Sequence, residues 1–214
     1  SNKIVGVKIC NDNDDILLST KEGKCIRTPV SKLRTTKSRS SMGVRGIKLA
    51  KNDSIISLSI LSHLDVSSSE VKAYLKMSKI NKENEEEAEE DNNDIEDIKI
   101  SEDRFQEMKA CEQFVLTVTE NGFGKRSSSY QFRVTNRGGS GIMCITTSSR
   151  NGDVLASFPV GHDDDIMLIT KSGQLIRCPV IDIRVAGRNT QGVSIFKTSD
   201  SEKVVSASRV EIEN

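Results

Sequence analysis

The stretch D-I-L-L-S-T-K-E-G-K-C-I-R-T-P-V, Asp15 to Val30, returns 150 residues later as D-I-M-L-I-T-K-S-G-Q-L-I-R-C-P-V, Asp165 to Val180, with ten of sixteen positions identical. Self-similarity on this scale marks a repeat architecture, in which each copy is one small unit that packs on its neighbours. The match continues beyond the proline: Arg34 corresponds to Arg184, and R-S-S-M-G-V (Arg39 to Val44) corresponds to R-N-T-Q-G-V (Arg188 to Val193). A fainter middle copy runs without a gap at a shift of 51 residues, Phe114 to Ile142 falling on Asp165 to Val193. Only seven of its twenty-nine positions are identical, but Gly122, Arg126, Arg133, Arg137 and Gly141 are among them. What persists is therefore backbone freedom and charge.

Each copy reads as a small antiparallel sheet of four short strands. The apolar runs Ile16 to Leu18, Val115 to Val118 and Ile166 to Ile169 suit strands covered on both faces. Glu22-Gly23, Asn121-Gly122 and Ser172-Gly173 supply the positive dihedrals of tight hairpins, and Pro29 and Pro179 end the returning strands. Closing segments follow: I-I-S-L-S-I after Ser54, V-L-A-S-F-P-V after Asp153 and V-V-S-A-S-R-V after Lys203. The expected class is all-β, with propeller-like blades at residues 1–61, 111–160 and 161–214. K-I-V-G-V near the start reads as the closing strand, at residues 3–9, of an upstream repeat, so a piece of a longer array is expected.

Residues 62–110 break the period and read as an insertion. Ser67-x-x-Glu70 is a capping box before V-K-A-Y-L-K-M, and Ser101 is placed to cap a short helix through Met108. The stretch between them, K-E-N-E-E-E-A-E-E-D-N-N-D, is too charged to pack. Between Glu83 and Glu107 stand thirteen acidic and two basic residues, a net of −11 hidden in a chain of 31 basic and 31 acidic residues. The remainder carries 29 basic against 18 acidic, a net of +11, and such segregation suggests a surface for a polyanion. The five cysteines are odd in number and include no C-x-x-C pair, which favours reduced, mostly buried thiols. No apolar run is long enough for a membrane-spanning helix.

The repeated cations are the candidate site. In every copy an arginine follows the hairpin (Arg27, Arg126, Arg177), a second lies seven residues on (Arg34, Arg133, Arg184) and a third precedes the glycine loop (Arg39, Arg137, Arg188). Lys37, Arg45, Lys48, Lys125, Lys171 and Lys197 add to the pattern. Guanidinium groups at a regular interval suit a phosphate backbone, and neighbouring glycines allow close approach. The competing reading has the arginines bracing adjacent blades through Asp15, Asp165 or Asp182, most of all the one just after the hairpin. Catalytic chemistry has little support: His63 and His162 have no repeated partner, Asp163 to Asp165 reads as a turn, and no P-loop or metal-ligand spacing occurs.

The motifs G-R-N-T-Q-G-V with V-V-S-A-S-R-V, N-G-F-G-K-R and M-G-V-R-G-I-K-L resemble the C-terminal domain of the A subunit of bacterial DNA gyrase, a type IIA topoisomerase, over nearly everything except residues 62–110. The resemblance implies the last three blades of a six-bladed β-pinwheel whose basic rim binds and wraps double-stranded DNA without sequence specificity. It also implies a part in ATP-dependent negative supercoiling by a holoenzyme that contains the N-terminal part of the A subunit together with the B subunit. It further implies a cytoplasmic, nucleoid-associated bacterial protein, with ATP and Mg used by the holoenzyme and no cofactor or catalytic site in this stretch. The rim contacts it implies are the arginines and lysines named above. The family's wrapping motif, Gln-Arg-Arg-Gly-Gly-Lys-Gly, belongs to the first blade; T-N-R-G-G-S-G, Thr135 to Gly141, keeps Arg137, Gly138, Gly139 and Gly141 of it and is read as a blade equivalent. The alternatives are the corresponding domain of topoisomerase IV and a propeller-type protein-interaction scaffold.

Overall fold

The computed structural model describes residues 3–37, 40–80, 100–197 and 202–210. Two compact units result: the repeats (Ser1–His63 with Gln113–Asn214) and the insertion (Leu64–Glu112).

In the repeat unit each copy begins with a hairpin. β1 (Asp14–Thr20) returns as β2 (Lys24–Pro29), and β3 (Ile55–Ser62) closes on the other side of β1. The second copy repeats this with β4 (Phe114–Thr119), β5 (Phe123–Ser128) and β7 (Val154–Val160), with β6 (Ile142–Met143) between β5 and β7 in the chain. The third has β8 (Asp165–Thr170), β9 (Leu175–Pro179), β10 (Val193–Ser194) and β11 (Val204–Val210). Gly23, Gly122 and Gly173 have φ of 82°, 76° and 86°, and each N–H bonds the carbonyl three residues back. These are three-residue hairpin loops that a left-handed residue terminates, so glycine is needed there.

The fourth strand does not come from the same copy. β6, in the second repeat, pairs with β2 of the first, and β10, in the third, pairs with β5 of the second. The sheets therefore run β3-β1-β2-β6 and β10-β5-β4-β7, while the last has three strands, β11-β8-β9. The expectation of four strands per copy is corrected in this respect: the strand count holds for two sheets, but neighbours exchange their outer strands. Residues 3–9, expected as a closing strand, form none, and Ile4, Val7 and Ile9 are exposed. The reason is visible in the pairing, because β1, β4 and β8 already hold β3, β7 and β11 on the edge that such a strand would use.

Alternation along β4 explains why its apolar run is unbroken. Val115 faces a core with Leu17, Leu61, Phe132 and Ile145, whereas Leu116 and Val118 face a second core with Ile166, Leu168, Ile183 and Val204. The middle sheet is thus buried on both faces, as a period-two strand between two layers requires. By contrast β9 exposes Leu175, Arg177 and Pro179 and half-buries Ile176 and Cys178.

The insertion is a pair of helices, α1 (Ser68–Ile80) and α2 (Glu102–Cys111). The capping box forms as expected: Ser67 N donates to Glu70 Oε2 at 2.7 Å and Glu70 N to Ser67 Oγ at 3.2 Å. Ser101 accepts from Arg104 N at 3.3 Å, and its helix runs to Cys111, beyond the expected end at Met108. Tyr74 and Phe105 meet with ring centroids 5.1 Å apart, while Arg104 ties Glu70 at 2.8 Å to Glu107 at 2.6 Å. The acidic stretch between the helices lies largely outside the described residues, as does Arg39.

Candidate nucleic-acid interface

The repeated cations separate into two groups by position. Arg27, directly after the first hairpin, is 4 % exposed and donates to Asp15 Oδ2 at 2.6 Å, Ser129 O at 2.9 Å and Ser62 O at 3.0 Å. The Ser129 carbonyl belongs to the second copy, so this guanidinium fastens one blade to the next. Arg126, 6 % exposed, donates to Ile183 O at 2.6 Å and Ile181 O at 3.1 Å of the third copy. Backbone pairing accompanies the side chains, since Arg27 bridges Val134 and Arg126 bridges Val185 in parallel fashion. The bracing alternative describes both residues, with Asp15 as carboxylate partner in one case and carbonyls, with the Phe114 ring 6.0 Å away, in the other. Burial lowers the Arg126 pKa.

Lys125 is also internal. Its Nζ donates to Gly187 O at 2.6 Å, Arg188 O at 2.8 Å and Thr190 O at 3.1 Å. The glycine-framed loop of the third copy is therefore a cradle for a lysine of the second. Desolvation dominates and brings the Lys125 pKa down to about 8; negative charge on the Cys144 sulfur opposes this and the Arg188 charge adds to it. Nothing in the local sequence around Lys125 signals this role, because its counterparts are Ile26 and Ile176.

A second group faces outward. Immediately after the 3-10 turns Val30–Lys32, Ser129–Gln131 and Val180–Asp182, the chain alternates: Phe132 and Ile183 are buried, and the next residues, Arg133 and Arg184, are exposed. Arg34 has the same position and exposure in the first copy. These three have no carboxylate partner among the described residues, nor have Lys37, Arg45, Lys48, Lys171 and Lys197, all exposed. In the glycine loops, Arg137 Nη1 donates to Arg45 O and Arg188 Nη1 to Met143 O, each at 3.3 Å. Arg45 and Met143 are equivalent positions, so both loop arginines grip the segment after the glycine loop of the preceding repeat, which is a strand (β6) only in the second; Arg137 stays exposed and Arg188 is half-buried.

Arg177 pairs with Asp165 at 2.5 Å yet remains 57 % exposed. A second member of the acidic trio is also engaged: Asp164 accepts from Gly161 N at 2.5 Å and from Arg209 Nε at 2.6 Å. Asp14 makes the same turn in the first copy, accepting from Asn11 N at 2.7 Å. The trio is thus a repeated turn motif, as read from the sequence. His63 Nδ1 lies 2.9 Å from Asp15 Oδ1, a partner that the sequence did not signal.

Outer strands passed from one repeat to the next and a central sheet buried on both faces define a β-pinwheel, the propeller-like class of repeat protein. The family model described as "DNA gyrase C-terminal domain, beta-propeller" matches residues 14–62, 113–160 and 164–211, and the chain belongs to that family. It is 46 % identical over 208 residues to the DNA gyrase A subunit of Rickettsia bellii, covering 97 % of this chain and 23 % of that protein. To the DNA gyrase A subunit of Granulibacter bethesdensis it is 41 % identical over 218 residues, covering 95 % of this chain and 23 % of the relative. The chain thus spans about a quarter of the length of these relatives. Among solved structures, the C-terminal domain of DNA topoisomerase IV aligns with a TM-score of 0.65 at 17 % identity, over 94 % of this chain and 47 % of that one. The E. coli ParC C-terminal domain aligns at 0.56 and 13 % identity, over 92 % and 62 % respectively. No described helix is long and apolar enough to cross a membrane, which leaves β-barrels unaddressed.

Proposed function

We propose that this chain binds duplex DNA without sequence specificity and serves as a wrapping element of a DNA gyrase, working with the B subunit and the remainder of the A subunit. The observation that carries the reading is the division among the cations. Arg34, Arg133 and Arg184 stand exposed at one repeated position, with no carboxylate partner among the described residues, while Arg27, Lys125 and Arg126 are used in joining the blades. Exposed guanidiniums at one position in each repeat suit phosphates spaced along a duplex backbone, and with few aromatics and no recognition helix among the described residues the contacts position the duplex rather than read it. Arg45, Arg137, Lys48, Lys171, Lys197 and Lys37 extend the surface. Wrapping by such a rim supports negative supercoiling by the holoenzyme. ATP and Mg chemistry is assigned to other parts of that enzyme, in keeping with the engagement of Asp15, Asp164 and Asp165 by arginines of their own repeats.

A salt series tests this. If about three to six phosphates are neutralised, log K falls against log salt with a slope of about −0.9 per contact. Arg133→Ala and Arg184→Ala each flatten the slope by about one unit, whereas Lys125→Met leaves it unchanged. Duplex binding that ignores salt, or slopes that ignore both rim variants, overturns the assignment.

A further inference from the structure

Two thiols meet inside the first blade junction. The pairs Lys24↔Met143 and Cys25↔Ile142 join β2 to β6, and Cys144 N continues the ladder by donating to Gly23 O at 2.8 Å. Side chains alternate along a strand, so Cys144, two residues past Ile142, shares a face with Cys25 and lies diagonally across from it, within side-chain reach. Cys25 is 0 % and Cys144 1 % exposed, and both lie in the core that holds Leu17 and Val115. The Cys25 thiol donates a hydrogen bond to the Cys144 sulfur. The second junction shows by its own geometry that the two positions touch. Gly124 and Ile195 stand there in their places, Ile195 N donates to Gly122 O at 2.9 Å, and a Cβ built on Gly124 would collide with Ile195 Cδ1. A glycine and an isoleucine thus fill the same space, so packing alone does not call for a pair of thiols.

The surroundings favour a thiolate at one of them. Lys125, wholly buried, and Arg188 set positive charge near the pair. The hydrogen bond from Cys25, and after it the Lys125 charge, lowers the Cys144 pKa against the opposing effect of burial. Donating that bond, together with burial, raises the pKa of Cys25. One sulfur is therefore the better nucleophile while its neighbour holds the proton, which is the arrangement of a dithiol that oxidises in two steps.

We propose that Cys25 and Cys144 form an oxidation site at which a peroxide closes a disulfide across the first junction. The Cys144 thiolate attacks one peroxide oxygen, the O–O bond breaks, and the leaving hydroxide takes up the Cys144 proton as water. The Cys25 sulfur then attacks the sulfenic acid formed at Cys144; the S–O bond breaks and the departing hydroxide takes the Cys25 proton. Two thiols are oxidised and one peroxide is reduced to two waters. Both sulfurs are sealed, so the oxidant is a small peroxide rather than a protein disulfide. The bond ties β2 of the first repeat to the segment after β6 of the second, adding a covalent link to the junction that Arg27 also braces.

Peptide mapping of the wild-type chain reads the outcome. After hydrogen peroxide under native conditions, then alkylation in denaturant and digestion, the Cys25 peptide is found joined to the Cys144 peptide, lighter by two hydrogens, and dithiothreitol separates them. A variant carrying Cys10→Ser, Cys111→Ser and Cys178→Ser forms the same link, since no other thiol takes part. The linked chain melts roughly 5–15 °C higher, and reduction restores the original value. Peroxide that consumes the exposed Cys10 and Cys111 while Cys25 and Cys144 remain open to alkylation overturns the proposal. A link that appears only in urea, or only while the other three cysteines are present, does the same. An unchanged melting temperature in the linked chain overturns the claim that the bond fastens the junction.

Discussion

Arg27 and Arg177 occupy one repeat position in nearly identical local sequence, so replacing each with methionine separates what the side chain does from what the motif is. Arg27 and Asp15 are 4 % and 0 % exposed, and removing the guanidinium leaves a buried carboxylate whose remaining partner is His63 at 2.9 Å. Breaking a buried pair from one side costs about 3–5 kcal/mol, a figure that already includes much of the loss of the bonds to Ser129 O and Ser62 O. At about 2–4 °C per kcal/mol for a domain of this size, Arg27→Met lowers the melting temperature by roughly 6–20 °C. Arg177 has the same kind of partner but is 57 % exposed, which limits its pair to about 0–1 kcal/mol. Far-UV circular dichroism with heat and urea is the suitable assay, because the chain has no tryptophan. Adding Asp15→Leu to Arg27→Met recovers most of the loss, as apolar replacement of a buried pair usually does. Equal and small losses for Arg27→Met and Arg177→Met, each below about 1 kcal/mol, would refute the claim that the following blade gives Arg27 its weight.

The other expectations concern the glycines, the core, the insertion and the acidic stretch. Gly141→Ala strains a positive φ and sets a Cβ 2.5 Å from Cys25 O, whereas Gly43→Ala strains only φ; unfolding shows the former more costly by about 1–3 kcal/mol. Leu116→Ala opens a void in the second core and costs about 2–5 kcal/mol in the same assay. The backbone and side chain of Ser67, followed by Arg104, hold the Glu70 carboxyl at about 2 instead of 4.5. Its contribution to the helix pair is therefore complete above pH 4.5 and fades as pH falls from there through about 2, and an NMR titration shows this fading gone in Glu70→Gln. If the ten acidic residues from Glu83 to Asp97 compete with DNA for the cationic surface, replacing them with Gln and Asn raises duplex affinity at low salt and leaves it nearly unchanged at high salt.

The strands were legible because their signals are local. A glycine at the third residue of the hairpin loop, an apolar run before it and a proline after it lie within sixteen residues, and β1, β2, β8 and β9 form where those signals place them. Helix caps are local too, and Ser67 and Ser101 cap as read. Strand exchange was not legible, since I-M in one copy and V-S in another carry no mark of which repeat they join. The fate of the cations was hidden for the same reason. I-R-T-P-V and I-R-C-P-V differ at one residue, yet one arginine is sealed beneath Ser129 and the other stands in solvent, because the covering group belongs to the next repeat and not to the motif. Periodicity told where the cations recur, but whether each is brace or contact follows from a neighbour about a hundred residues away, as with Arg27 and Ser129. In an exchanged-strand array, then, a residue's role depends on its place among the blades as much as on its motif. Arg133 and Arg184 escape this dependence because alternation beside a buried Phe132 or Ile183 turns them outward wherever the blade stands.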